Sequence, residues 1–231
     1  MANYQLTEAK DRLNWAIWRQ WIVANALAEM IGLGTSALLW GAFAFSFSAE
    51  ERLGILISAV IVILGSTLLE GTAVGVGQWL VLRRPLPQLR WQAWVLATMV
   101  GAFVAWSLGI IPSTMMALGE ETSSQPPLEI NDLVMYSLAA VMGLVLGPIL
   151  GLPQWWVLRR HLHHAAWWIP ANAVAWALGM VAIFVGTSFI PESGLTAGVV
   201  LIILLSLAIA GALVGAVHGW VLIWLLKENK T

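Results

Sequence analysis

The sequence predicts an all-α, polytopic integral membrane protein with six transmembrane helices, arranged as three pseudo-repeated hairpins in one transmembrane domain, 1–231. Of its residues 60% are hydrophobic and only 10% are charged, whereas a soluble domain carries about 25% charged residues. Residues 133–158 and 195–217 contain no Asp, Glu, Lys, Arg or His, and about 20 apolar residues suffice to cross a bilayer core. Lipid cannot hydrogen-bond the backbone, and the alternating polarity of membrane β-strands is missing, so these runs must be helices.

The apolar runs define six predicted spans, at 21–45, 54–82, 91–111, 133–158, 167–189 and 196–226. Residues 1–20 precede the first span as a cytoplasmic interfacial segment. Residues 112–132, which include Pro126 and Pro127, are predicted to form an acidic extracytoplasmic loop.

The basic residues predict the orientation. Nearly all of them flank the spans on one side: Lys10, Arg12, Arg19, Arg83, Arg84, Arg90, Arg159, Arg160, Lys227 and Lys230. Only Arg52 falls on the other side, where the loops are acidic. Because basic residues in short loops stay in the cytoplasm, both termini are predicted to lie inside, in the cytoplasmic (inner) membrane of a cell.

An internal repeat is the most specific feature of the chain. The pattern Gly71-x3-Gly75-x2-Gln78-Trp79 through Arg83-Arg84 recurs 76 residues later, from Gly147 to Arg160. A third copy runs from Gly211 to Trp224, with His218 at the glutamine position and without the arginine pair. Copies with one orientation imply a pseudo-rotation axis along the membrane normal, which favours a six-helix barrel of approximate three-fold symmetry.

Stripes of glycine lie on the second, fourth and sixth spans at four-residue spacing. GxxxG stripes allow membrane helices to approach closely. We expect these three helices to pack on one another through the stripes, around the central axis. The stripes lie inside spans, so they do not resemble phosphate-binding loops.

Two carboxylates, Glu29 and Glu70, lie deep in the predicted spans. At 1.5 Å per residue they are roughly 12 and 20 Å from the cytoplasmic boundary. Ionised side chains are costly at such depth and usually face an interior cavity, so at least one is expected to be protonated. Asn25 shares the face of Glu29. The three residues are the candidate polar site, either for a proton, cation or polar substrate, or as hydrogen-bond links between helices.

Gln78, Gln154 and His218 occupy one repeat position and form a second candidate set. Around a three-fold axis they would make a polar ring at one depth, able to line a constriction or hold a polar headgroup. Amide and imidazole groups could also ligate a flat metallated pigment or a haem. Beyond that alternative no cofactor is expected.

The boundary residues predict contacts with membrane lipids. Tryptophans favour the headgroup region, and the chain has 15 of them. Twelve are predicted to form a cytoplasmic belt: Trp15, Trp18, Trp21, Trp79, Trp91, Trp94, Trp155, Trp156, Trp167, Trp168, Trp220 and Trp224. The arginine pairs Arg83/Arg84 and Arg159/Arg160 are predicted to contact anionic lipids. The adjacent His161, His163 and His164 lack supporting carboxylates, so no metal site is expected.

The sequence contains no recognisable catalytic constellation. It has no cysteine, which excludes disulfides and thiolate chemistry, and no nucleophile–base pattern, HExxH or Walker motif is present. The protein is therefore expected not to be an enzyme, and its net charge of −1 predicts no nucleic-acid partner.

At the repeated Gly-x3-Gly-x2-Gln-Trp-x-Val-Leu-Arg-Arg segment the chain resembles a group of multi-pass bacterial membrane proteins common in cyanobacteria. The resemblance covers most of residues 70–189. It implies membrane location and repeat structure, and makes a thylakoid membrane conceivable. Glu29 and Glu70 lie outside the shared motif, so no functional residue carries over.

Two functional hypotheses follow. The first is a small-solute or ion transporter, or channel-like protein, with Glu29 and Glu70 as its polar site; it requires an interior cavity that reaches Glu70. The second is a non-enzymatic scaffold or assembly factor that contacts other membrane proteins and, in one version, holds a lipid or pigment. It requires tightly packed helices without an aqueous path.

Overall fold

A computed structural model describes residues 2–44, 52–119, 131–191 and 196–229. These residues form six α-helices, and a short 3-10 helix at Ala165–Trp167 leads into the fifth. The α-helices are α1 (Ala2–Ala44), α2 (Arg52–Leu82), α3 (Trp91–Gly119), α4 (Asp132–Leu158), α5 (Trp168–Thr187) and α6 (Ala197–Glu228). All six are long and apolar enough to cross a membrane, which confirms the predicted all-α fold with six candidate membrane spans.

Two helices extend beyond the predicted spans. Helix α1 begins at Ala2, so it includes the segment 1–20 except for Met1. Helix α3 continues through Pro112 to Gly119, so residues 112–119 of the predicted loop are helical. A proline within a membrane helix is tolerated when Ser or Thr side chains bond nearby carbonyls. Here the Ser113 hydroxyl donates to the carbonyl of Gly109 at 2.8 Å. Pro126 and Pro127 lie outside the described residues.

The helices form a closed ring. Each packs against the helix before and the helix after it in the chain, and α6 packs against α1. Large apolar side chains point outward; Leu53 and Leu133 are 70% and 76% exposed. Polar side chains point inward, with Asn25 and Glu29 at 0% and 2%. A surface that is apolar outside and polar inside suits lipid as the solvent.

The glycine stripes contact different neighbours from those predicted. A Cβ at Gly71 or Gly75 of α2 would lie 2.9 Å from the Cα of Met99 or Val95 in α3. Gly143 and Gly147 of α4 face the backbone of α5, and the α6 stripe (Gly211, Gly215, Gly219) faces α1. The expectation that α2, α4 and α6 meet around the axis is wrong. Each stripe instead admits the backbone of an odd-numbered helix, because six helices in a ring leave the axis to side chains.

An apolar layer closes one end of the ring. It contains residues of the loops 83–90 and 159–164, Ile17 and Trp21 of α1, and residues at the end of α6. Its buried members include Trp21, Leu82, Trp94, Leu158, Trp168, Leu222 and Leu225, each at 0% exposure. Arg83, Arg84, Arg159, Arg160 and Lys227 follow directly after members of this layer in the chain, so these five basic residues lie at the same end, which we call the basic end.

Because α4 and α5 approach closely, we predict that one added methyl group at their contact lowers the stability of the folded protein. In Gly147→Ala, the new Cβ would collide with the Asn172 carbonyl group and the Cα of Ala173. Backbone cannot move aside as a flexible side chain can, so we expect a loss of about 1–3 kcal/mol in stability. Thermal unfolding in detergent measures it. Gly109→Ala is the matched control, since nothing lies within 4 Å of its Cβ. Equal stability of the two variants would contradict the packing.

Candidate functional site

A small cavity lies on the axis, beside the apolar layer. About 20 Å³ of it is open to the centre of a water molecule, and one water requires about 10–15 Å³. All six helices line it. The residues around it are Glu29, Glu70, Gly71, Val74, Gln78, Thr98, Ala102, Leu150, Gln154, Asn172, Trp176, Val214 and His218. The structure therefore brings both carboxylates and the Gln78/Gln154/His218 set to one place.

Three buried tryptophans each donate a hydrogen bond to one member of that set. The indole Nε1 of Trp94 donates to Gln78 Oε1 at 3.2 Å, and that of Trp168 donates to Gln154 Oε1 at 3.0 Å. Trp21 Nε1 donates to His218 Nδ1 at 2.8 Å. In each case an odd-numbered helix supplies the donor and a glycine-striped helix supplies the acceptor, so the close glycine contacts set the length of these bonds.

We define the polar ring as Gln78, Gln154, His218, Asn25, Thr98 and Asn172. Direct side-chain hydrogen bonds join four of these residues, whereas His218 and Asn172 are connected to them through Trp21 and Trp168. Gln154 Nε2 donates to Gln78 Oε1 at 3.0 Å and to the Thr98 hydroxyl at 2.9 Å. Gln78 Nε2 donates to Asn25 Oδ1 at 2.9 Å. Asn25 and Asn172 each donate at 2.8 Å to the carbonyl of the tryptophan four residues earlier. These bonds hold the amide side chains of Gln78, Gln154 and Asn25 in defined orientations.

The hydrogen bond from Trp21 determines the protonation of His218. An indole N–H is a donor only, and a neutral imidazole carries its single proton on one nitrogen. Because Nδ1 accepts from Trp21, the proton resides on Nε2 and His218 is neutral. The cavity inside the ring has room for little more than one water, far less than a haem or pigment macrocycle requires.

Glu29 and Glu70 differ in their hydrogen bonding. Glu70 is 7% exposed, and its Oε2 accepts from the indole N–H of Trp106 at 2.6 Å. Glu29 is 2% exposed, and its Oε2 has no hydrogen-bond partner among the described residues. A buried polar atom without a partner costs about 1–3 kcal/mol. Ser36 Oγ and Ser66 Oγ also lack a partner within the described ranges, but of these three residues only Glu29 lines the cavity.

Sequence reasoning misassigned three tryptophans and missed several site residues. Trp21, Trp94 and Trp168 are fully buried, so the belt prediction is wrong for them. Thr98, Trp106 and Asn172 were not anticipated. A signal for part of this was present: a polar residue follows each of the three tryptophans after four positions, which places both on one helix face.

The arginines that are predicted to contact lipid lie at the basic end of the ring, and two of them lie over indole rings. The Arg83 guanidinium lies 5.5 Å from the ring centre of Trp79, and that of Arg159 lies 3.6 Å from Trp156. Arg84 donates to Gln20 at 3.1 Å, and Arg160 is exposed. In the described part of the chain no group of three His, Cys, Asp or Glu residues could hold a metal.

An apolar groove of about 820 Å³ runs along the outside of α1 and α2. Leu27, Ile31 and Leu80 are among its lining residues, and Arg19, Arg83 and Arg84 line it at the basic end. The groove thus combines apolar walls with guanidinium groups at one end.

No protein-family model, curated protein or solved structure matches the chain.

The polar ring predicts unequal effects of two substitutions. Gln78→Leu removes the acceptor for Trp94 and Gln154 and the donor to Asn25, leaving buried groups unpaired at about 1–3 kcal/mol each. His218→Gln introduces the repeat's own residue, whose Oε1 can still accept from Trp21. We expect a clear drop in the thermal unfolding midpoint for Gln78→Leu and a small one for His218→Gln. Equal drops would show that the ring contributes no specific hydrogen bonding.

Proposed function

We propose that the protein is a small-ion transporter or channel-like membrane protein, with Glu29 and Glu70 as its binding site and the proton as the simplest ion. The observation that carries this proposal is the unpartnered Glu29 Oε2, buried beside a cavity that also contacts Glu70. Intramembrane carboxylates that face an interior cavity are typical of ion and proton pathways.

The cavity's size favours an ion over an organic solute. Space for about one water admits a proton carried by water or one stripped ion, but no sugar or amino acid. A water in this space could donate to Glu29 Oε2, and protonation of either glutamate would remove a charge from low dielectric. Glu29 follows Asn25 by one helical turn, so the carboxylates continue the polar ring away from the apolar layer.

Transport requires the apolar layer to open. In the described conformation Trp21, Trp94 and Trp168 pack edge to face, with centroids 6.0 Å (Trp21–Trp168) and 6.3 Å (Trp94–Trp168) apart. Under this proposal, the packing closes the path between the site and the basic end. It corresponds to a state of an alternating cycle in which the site is not open to that side.

The proposal includes the membrane arrangement predicted above. The basic end of the ring is cytoplasmic, both termini are inside, and the membrane is the cytoplasmic membrane. The repeating unit is supported by the three equivalent indole bonds, each linking a glycine-striped helix to an odd-numbered one. The anionic-lipid contact of Arg83 and Arg84 is supported by the α1–α2 groove, and that of Arg159 and Arg160 rests on their position in the sequence.

A second candidate is a membrane scaffold or assembly factor. The closed apolar layer favours it, because a bundle without a continuous aqueous path needs no transport role. Its exposed apolar faces would then contact other membrane proteins, and Glu29 and Glu70 would be protonated links between helices. This candidate predicts stable association with a larger complex and no ion flux.

Ion flux in liposomes tests the proposal. With a pH-sensitive dye inside the vesicles, we expect the wild-type protein to dissipate an imposed proton gradient. Glu29→Gln together with Glu70→Gln should lower the rate to that of empty vesicles, because an amide cannot exchange the proton. Ser36→Ala is the control, since Ser36 is also fully buried but does not line the cavity. Flux that survives the double substitution would exclude this site.

Labelling with a hydrophobic carbodiimide provides a test that does not depend on flux. The reagent attacks protonated carboxyl groups that it reaches from an apolar phase. We expect mass spectrometry to locate adducts at Glu29 or Glu70, with less labelling at high pH. Glu70→Gln should leave the Glu29 adduct in place. An unlabelled pair in intact membranes would favour the scaffold.

A further inference from the structure

The third copy of the repeat forms a pocket where the first two copies have an arginine. The pocket has a volume of about 190 Å³ and lies between residues 14–18 of α1 and the end of α6. Its lining residues are Asn14, Trp15, Trp18, Trp220, Ile223, Trp224 and Lys227. We refer to it as the tryptophan pocket.

The second copy shows which chemistry these indole faces accept. There, the guanidinium of Arg159 lies 3.6 Å from the ring centre of Trp156, the geometry of a cation–π interaction. In the first copy Arg83 lies over Trp79 at 5.5 Å. In the third copy, Trp220 occupies the position of Trp156 and Ile223 that of Arg159. Compared with the second copy, the third copy therefore keeps the indole and has no arginine to cover it.

The remaining indoles are arranged as walls. Trp15 and Trp18 have centroids 5.4 Å apart with ring planes at 87°, and Trp15 and Trp220 are 6.2 Å apart at 72°. Trp15 and Trp220 remain 50% and 62% exposed. Indole rings at steep angles around one volume are also the arrangement of the aromatic cages that bind quaternary ammonium groups.

We propose that the tryptophan pocket binds the quaternary ammonium group of a zwitterionic phospholipid headgroup. Its location favours a lipid over a free cation, because the spans Arg12–Phe43 and Ala197–Glu228 end beside it, at the depth where headgroups lie.

The test measures lipid retention in nanodiscs of equal phosphatidylcholine and phosphatidylglycerol. After extraction with mild detergent, native mass spectrometry should show phosphatidylcholine retained preferentially by the wild-type protein. Ile223→Arg should reduce that retention about tenfold, because it restores the repeat's cation on the indole face. Trp220→Leu, which introduces the residue of the first copy (Leu80), should do the same by removing one wall.

Trp156→Leu is the matched control, because its indole face is already covered by Arg159; it should retain phosphatidylcholine as the wild type does. Size-exclusion elution verifies that each variant is folded. Displacement of the lipid by tetramethylammonium would support recognition of the ammonium group. Displacement by glycerol phosphate alone would overturn the proposal, as would phosphatidylcholine retention unchanged in both Ile223→Arg and Trp220→Leu. These outcomes do not depend on ion flux, so they are independent of the proposed transport function.

Discussion

Close backbone contact between each glycine-striped helix and the odd-numbered helix beside it is the constraint on which the other features depend. Helices in lipid gain little from burying apolar surface, so packing and internal hydrogen bonds must hold them together. At Gly71, Gly147 and Gly211 a side chain would meet the neighbouring backbone. The contact places Trp94, Trp168 and Trp21 within hydrogen-bond distance of Gln78, Gln154 and His218.

The positions at which the three copies of the repeat differ carry the side chains with distinctive chemistry. Glu70 stands where the other copies have Leu146 and Ala210, and His218 stands where they have glutamine. Both line the central cavity, together with Glu29. At the basic end, the third copy lacks the arginine pair, and the tryptophan pocket lies at those positions. A framework built from copies allows single positions to change while the other copies maintain the packing.

Much of the fold could be predicted from the sequence because hydropathy and charge act locally. Composition alone limits the chain to membrane helices, and all six appear in the structure. The helices that pack on the glycine stripes could not be predicted, because a GxxxG face can accept the backbone of any neighbouring helix. Trp21, Trp94 and Trp168 were assigned to the lipid boundary because an indole suits both a headgroup region and a buried hydrogen bond. Only the packing of α1, α3 and α5 against the stripes distinguishes these environments.

The closure of α6 on α1 has a consequence for biosynthesis. Helix α1 enters the membrane first, but the helix that accepts the Trp21 hydrogen bond and packs on Asn25 and Glu29 is the last of the six to be made. Until then these polar groups must be shielded by α2, by water at the insertion machinery or by a protonated carboxyl. The contacts between α1 and α6 therefore form only after translation has passed the sixth helix.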